Sequence, residues 1–146
     1  MPGIIVGIDG SRHSRRALEW AVSEAAMRRV PLTVLSVNQA IAGFWGGATV
    51  SPGDAEFAEH ARKVAQEETD SVLEKLAPES QPPAVTVVAV TGLPAEEILI
   101  RGKDADLIVV GSRGAGGFKK LLLGSVSTQV AHHAHVPVVV IPSDIG

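Results

Sequence analysis

The sequence holds no cysteine, no tyrosine, three phenylalanines and two tryptophans. Without cysteine there is no disulfide framework, no thiolate nucleophile and no Cys-ligated metal. With so few aromatics the core has to come from Val, Leu, Ile and Ala, a mixture that suits a parallel sheet covered by helices. No apolar run reaches the roughly 18 residues that span a bilayer. The opening "MPGIIVGIDG" lacks the basic region and long apolar core of a signal peptide. Positive charge is not in excess: 13 Lys and Arg face 16 Asp and Glu, a formal net charge of −3. That argues against bulk binding to nucleic acid or to an anionic membrane. The expectation is a cytoplasmic protein with neither of those partners.

What is present is an alternation of two periods. The 146 residues, 45% apolar and 20% charged, fit one domain spanning residues 1–146. "GIIVGI" (Gly3 to Ile8) reads as a buried strand closed by "DGS". From Arg12 to Arg29 the period becomes helical, with Ala17, Leu18, Ala21, Val22 and Ala25 on one face and Ser11 or Ser14 as N-cap. "PLTVLSV" is a second strand, followed by a long loop from Asn38 to Gly53 that contains "GFWGG". Phe57, Ala61, Val64, Ala65, Val72, Leu73 and Leu76 mark a second helix from Asp54 to Ala77, broken by "PESQPP". "AVTVVAVT" (Ala84 to Thr91) is a third strand. Pro94 opens a third helix, with "AEE" at its positive end, that runs to Gly102. "ADLIVVG" (Ala105 to Gly111), a helix from Gly124 to His133 and "VPVVVI" (Val136 to Ile141) complete the chain.

The order βαβαβαβαβ implies an α/β fold. It is a three-layer α/β/α sandwich with a five-stranded parallel sheet and right-handed crossovers. Ligands of such sheets bind beyond the carboxyl ends of the strands, where the strand order reverses. The first and fourth strands both end in small turn-forming residues, "DGS" and "GSRG". If those strands are neighbours, one crevice is built from segments about a hundred residues apart.

The glycine-rich segment after the fourth strand fits neither familiar phosphate loop. Lys119 stands where both the Walker and the dinucleotide patterns need a glycine. A longer spacing does fit: Gly111, Gly114 and Gly124-Ser125 form G-x2-G-x9-G-[ST]. Gly111 permits close backbone approach, and Gly114 exposes N–H groups that can form an anion nest. Gly124 and Ser125 open a helix whose first N–H groups and dipole attract phosphate.

On these residues the chain resembles the universal stress protein family along essentially its whole length. "IIVGIDGSRHSRRALEWA" is similar to that family's first strand, turn and helix, and "ADLIVVGSRGAGGFKKLLLGSVSTQVAHHAHVPVVVIP" to its last two strands and the loop between. The glycine spacing is the mark of its ATP-binding branch. The resemblance implies a Rossmann-like sheet of order 3-2-1-4-5. It also implies that Asp9 faces adenine and ribose, with Gly7 and Ile8 lining the cleft and Val37 meeting adenine through its backbone. Val110 and Gly111 would border the ribose, Arg113 and Gly114 the phosphates, and Gly124, Ser125, Val126 and Ser127 would cradle the phosphate chain. It further implies ATP, with Mg2+ on the phosphates, and a homodimer through Val136 to Ile141.

Other chemistry finds less support. His132, His133 and His135 have no carboxylate or fourth ligand close in sequence, and they lie where histidine suits a helix C-terminus. No G-x-S-x-G elbow supports a Ser/His/Asp triad. The adenylyl-transferring relatives carry S-G-G-x-D-S or H-x-G-H loops, which "GIDGSRHS" lacks. No residue is an evident base for activating water, so hydrolysis of ATP is expected to be slow at most and the role regulatory. Lys119 and Lys120 read equally well as phosphate-steering or solvated, and "GFWGG" as local packing. Cyclic AMP or AMP as ligand, and an interaction role without nucleotide, remain the alternatives.

Overall fold

In the computed structural model the chain is described at residues 2–38, 54–112 and 124–142. Five strands, β1 (Ile4–Ile8), β2 (Leu32–Asn38), β3 (Val85–Thr91), β4 (Leu107–Gly111) and β5 (Val138–Ile141), form one parallel sheet in the order β3-β2-β1-β4-β5. Between them run α1 (Arg12–Arg28), α2 (Asp54–Glu74), α3 (Pro94–Arg101) and α4 (Ser125–His133), with a short 3-10 turn at Pro78–Ser80.

The interior strands are apolar on both faces because both faces are covered. Ile4, Val6 and Ile8 of β1 pack with Val34, Leu107 and Val109 against α1 and α2. Ile5, Leu35, Ile108 and Val110 point the other way, onto Ile98 of α3 and Val130 of α4. The apolar face expected for α1 is the buried one: Ala17, Leu18, Ala21, Val22 and Ala25 are all sealed. The edge strands β3 and β5 are only half-covered.

Several details differ from the sequence expectation: β4 begins at Leu107, not Ala105, and Asn38 belongs to β2, not to the loop after it. Helix α2 stops at Glu74, not Ala77. Pro78 disfavours helical backbone at the residue before it, and Ala77 is extended (φ −64, ψ 151). The Gln81 side chain caps this end of the helix, its Nε2 donating to the carbonyls of Leu73 and Leu76 at 3.0 and 3.3 Å. Val64 is 45% exposed, because the inward row of α2 is Ala65, Thr69 and Val72, and Val64 lies about 100° round the helix from Ala65. Strand β5 begins at Val138, after Pro137, which has no N–H for the ladder. The expected roles of the Phe57 side chain and of the "GFWGG" segment fall outside the described residues.

Candidate functional site

Strand order reverses between β1 and β4, so the carboxyl ends of these two strands define the crevice of the sheet. Val6 pairs with Val109, and two residues further along each strand lie Ile8 and Gly111. Gly7 lies inside β1, where a Cβ would stand 2.7 Å from Cδ1 of Ile98, so its lack of a side chain lets α3 approach the strand.

The turn after β1 is built by local hydrogen bonds. The exposed Asp9 carboxylate accepts from the Ser11 N–H at 2.9 Å, an Asx turn, while the Asp9 N–H donates to Ser14 Oγ at 3.2 Å. Gly10 takes φ +84, which favours glycine. Ser11 is the N-cap of α1, its Oγ accepting from the Ser14 N–H at 3.2 Å. The buried Ser14 hydroxyl donates back to the Ser11 carbonyl at 3.1 Å. Of the two serines that could cap this helix, Ser11 does so and Ser14 braces the turn beneath.

The other half of the crevice is the junction of β4 and α4. Ser112 follows β4, buried, its N–H donating to the Ile141 carbonyl at 2.8 Å. Its carbonyl accepts from the Gly124 N–H and from Ser127 Oγ, which also lies 3.1 Å from the Gly124 carbonyl. Both ends of the glycine loop are therefore held together beneath the start of α4. Gly124 is the N-cap of α4, with no side-chain cap, and the N–H groups of Ser125, Val126 and Ser127 are the helix's first. Ser125 is exposed, Val126 half-buried and Ser127 buried. Arg113, Gly114, Lys119 and Lys120 lie outside the described residues.

Val37 and Asn38 end β2, beyond its last pair with β1, Ile8 with Ser36. Asn38 is held to β3 by the Gly92 N–H, which donates to its carbonyl at 2.9 Å. Its side-chain Nδ2 is buried without a hydrogen-bond partner among the described residues. Helix α2 brings in a residue that the sequence did not suggest. Burial raises the carboxyl of Glu68 above its ordinary value, the Arg15 guanidinium opposes that shift, and the Asp9 carboxylate adds to it. Glu68 thus lies within electrostatic reach of the β1 turn. Arg15, read as a polar-face residue of α1, donates from Nη2 to Ser71 Oγ at 3.0 Å and ties α1 to α2. Neither Glu68 nor Asn38 carries a motif; only the packing of α2 and the ending of β2 bring them to this end of the sheet. His132 and His133 stack edge-to-face at the exposed end of α4, and no group of three or more potential ligands gathers around a metal position among the described residues.

Fold and crevice define a doubly wound α/β protein whose uncapped helix start meets the topological switch point of the sheet. Comparison with known proteins specifies it further. The sequence model of the universal stress protein family matches residues 2–142. Universal stress protein Rv2623 of Mycobacterium tuberculosis is 34% identical over 139 residues, which is 95% of this chain and 47% of that protein. Among solved structures, the universal stress protein UspA from Lactobacillus plantarum superposes with a TM-score of 0.70 at 25% identity, over 96% of this chain and 97% of that one. A universal stress protein crystallised in complex with cAMP gives 0.66 at 24% identity, over 97% of each chain. The chain belongs to the universal stress protein family. It spans about half the length of the curated relatives it matches. No described helix is long and apolar enough to cross a membrane.

Proposed function

We propose that this chain is one universal stress protein domain over residues 1–146 and binds ATP in the crevice at the carboxyl ends of β1 and β4, as a nucleotide-dependent regulatory protein of the cytoplasm. The observation that carries this reading is the pairing of Asp9, exposed after β1, with the uncapped start of α4 tied to the end of β4. An acidic hydrogen-bond acceptor suits ribose hydroxyls, and a helix N-terminus suits phosphate. Gly7, Ile8 and Asp9 line one wall, the Val37 backbone meets the base, and Val110 and Gly111 border the sugar. The phosphates lie between Arg113-Gly114 and the N–H groups that follow Gly124. Ser125 is free to add its exposed hydroxyl, and Val126 its N–H. Ser127 turns its hydroxyl inward, so its part is the peptide N–H and the closure of the loop. A Mg2+ ion would ride on the phosphates.

Among the described residues no side chain is placed as a base for water, in keeping with a turnover of ATP that is slow at most. The free edge of β5 supports pairing with a second copy through Val136 to Ile141. Cyclic AMP is the second reading, favoured by the similar protein that was crystallised with it. Mass spectrometry of nucleotide retained by the purified protein, then calorimetric titration with ATP, ADP, AMP and cyclic AMP, tests both readings. ATP binding at micromolar to millimolar concentration is expected. A preference for cyclic AMP selects the second reading, and no binding by any of the four leaves an interaction protein.

A further inference from the structure

We infer that Ser14 is a positioning residue of the nucleotide site: its buried hydroxyl holds the Asp9 carboxylate where the ribose hydroxyls meet it. This rests on the nucleotide reading above and adds to it the residue that sets the sugar contact.

The first observation is a closed ring of hydrogen bonds at the end of β1. The Asp9 carboxylate accepts from the Ser11 N–H at 2.9 Å, and the Asp9 N–H donates to Ser14 Oγ at 3.2 Å. Ser14 Oγ donates in turn to the Ser11 carbonyl at 3.1 Å, and the Ser14 N–H to Ser11 Oγ at 3.2 Å. One hydroxyl thus bonds both ends of the turn that presents the carboxylate. It is also the sealed member of the ring: Ser14 is 4% exposed, whereas Asp9 and Gly10 are exposed and Ser11 is half-buried. A buried polar network with its bonds made is rigid, and the exposed turn above it inherits that rigidity.

The second observation is that nothing in the sheet does this for Asp9. The last β1–β2 pair is Ile8 with Ser36, and the last β1–β4 pair is Val6 with Val109, so both ladders end before Asp9. Gly10 follows at φ +84, and glycine has the widest choice of backbone conformations. The bond from the Asp9 N–H to Ser14 takes over where the ladders stop.

The third observation is the residue type. Ser11 is the N-cap of α1, so Ser14 stands at the third helical position. A capping box places Glu or Gln there, reaching back to the N–H of the cap residue. Here the Asp9 carboxylate takes that N–H, and the short Ser14 side chain reaches past the cap to Asp9 itself. Serine is a poorer helix former than Glu or Ala, and a buried hydroxyl has to be satisfied. Helix stability alone does not call for it; holding the Asp9 turn does.

The test titrates protein stripped of retained nucleotide with ATP and with 2′,3′-dideoxy-ATP, which lacks both sugar hydroxyls. Wild type is expected to prefer ATP. Ser14→Ala is expected to bind ATP roughly 10-fold more weakly, the scale of one lost hydrogen bond, and to bind dideoxy-ATP as wild type does. In an Asp9→Ala background the same change is expected to cost no further ATP affinity, since Ser14 acts through Asp9. Ser11→Ala is the structural control. It removes the cap hydroxyl and lowers the urea midpoint, yet keeps the Ser11 N–H and carbonyl, and is expected to keep the ATP preference. If Ser14→Ala does not fold, Ser14→Cys keeps the shape with a weaker acceptor and is expected to show the same selective loss in smaller measure. An unchanged ATP preference in the Ser14 variant that folds overturns the inference, as does an equal loss toward both nucleotides or the same loss in Ser11→Ala. A wild type that binds ATP and dideoxy-ATP alike overturns it too, while the nucleotide reading stands. A wild type that binds neither ends that reading as well.

Discussion

The buried hydroxyl of Ser127 donates to the carbonyl of Ser112, 15 residues earlier, at 3.2 Å. The bond clamps the two ends of the glycine loop beneath α4. In Ser127→Ala the Ser112 carbonyl still accepts from the Gly124 N–H, so it is not orphaned. The expected loss is therefore about 1 kcal/mol, the worth of one hydrogen bond and not of an unsatisfied buried carbonyl. Urea unfolding measures it as a lower midpoint at unchanged slope.

Gly124 has φ −76 and ψ 173, extended backbone that any residue adopts. Gly124→Val is therefore expected to fold with stability within about 1 kcal/mol of wild type. Its branched side chain stands at the helix start where the phosphates would approach, and ATP affinity is expected to fall at least ~10-fold. Calorimetry checks the affinity and a thermal melt the fold. Unchanged affinity would place the phosphates elsewhere.

Glu68 makes stability depend on pH. Burial holds its folded carboxyl above the ordinary 4.5, so the native protein keeps this proton more tightly than the unfolded chain does. The resulting stabilisation is full below the ordinary value and is lost as pH rises through the raised one. Glu68→Gln has no proton to lose. The stability of the variant relative to wild type is expected to increase with pH across that window and then level off, as read by urea unfolding from about pH 4 to pH 8. A difference independent of pH would show that Glu68 titrates alike in both states.

Arg29 ends α1 in the left-handed region, φ 57 and ψ 45, its N–H donating to the carbonyls of Ala25 and Ala26. An exposed residue with a side chain holds a position that favours glycine. Arg29→Gly is expected to raise stability by about 0.5 kcal/mol, the relief of backbone strain exceeding the extra freedom of the unfolded chain. The urea midpoint reports it.

Much of the architecture is local and could be read from the chain. Helix α1 shows its apolar row because Ala17, Leu18, Ala21, Val22 and Ala25 recur at helical spacing. Strands β1 and β4 show as unbroken apolar runs because helices cover both of their faces. Helix α2 was legible in kind but not in detail. Its inward row includes the polar Thr69, fully buried with its hydroxyl on the Ala65 carbonyl at 2.8 Å, while the apolar Val64 points out. Hydrophobicity by itself assigns those two residues to the wrong faces.

The sequence by itself determined the βα alternation, the turn at Asp9-Gly10 and the start of α4 at Gly124. Each follows from short-range periods, glycine conformation and capping, which act within a few residues. Tertiary structure alone decided that Arg15 reaches Ser71, that Glu68 feels the charge of Asp9, and that the Asn38 amide nitrogen is buried without an acceptor among the described residues. These depend on how α2 packs beside α1 and where β2 outruns β1. Burial and Coulomb interaction act through space between residues far apart in sequence, and no spacing along the chain records them.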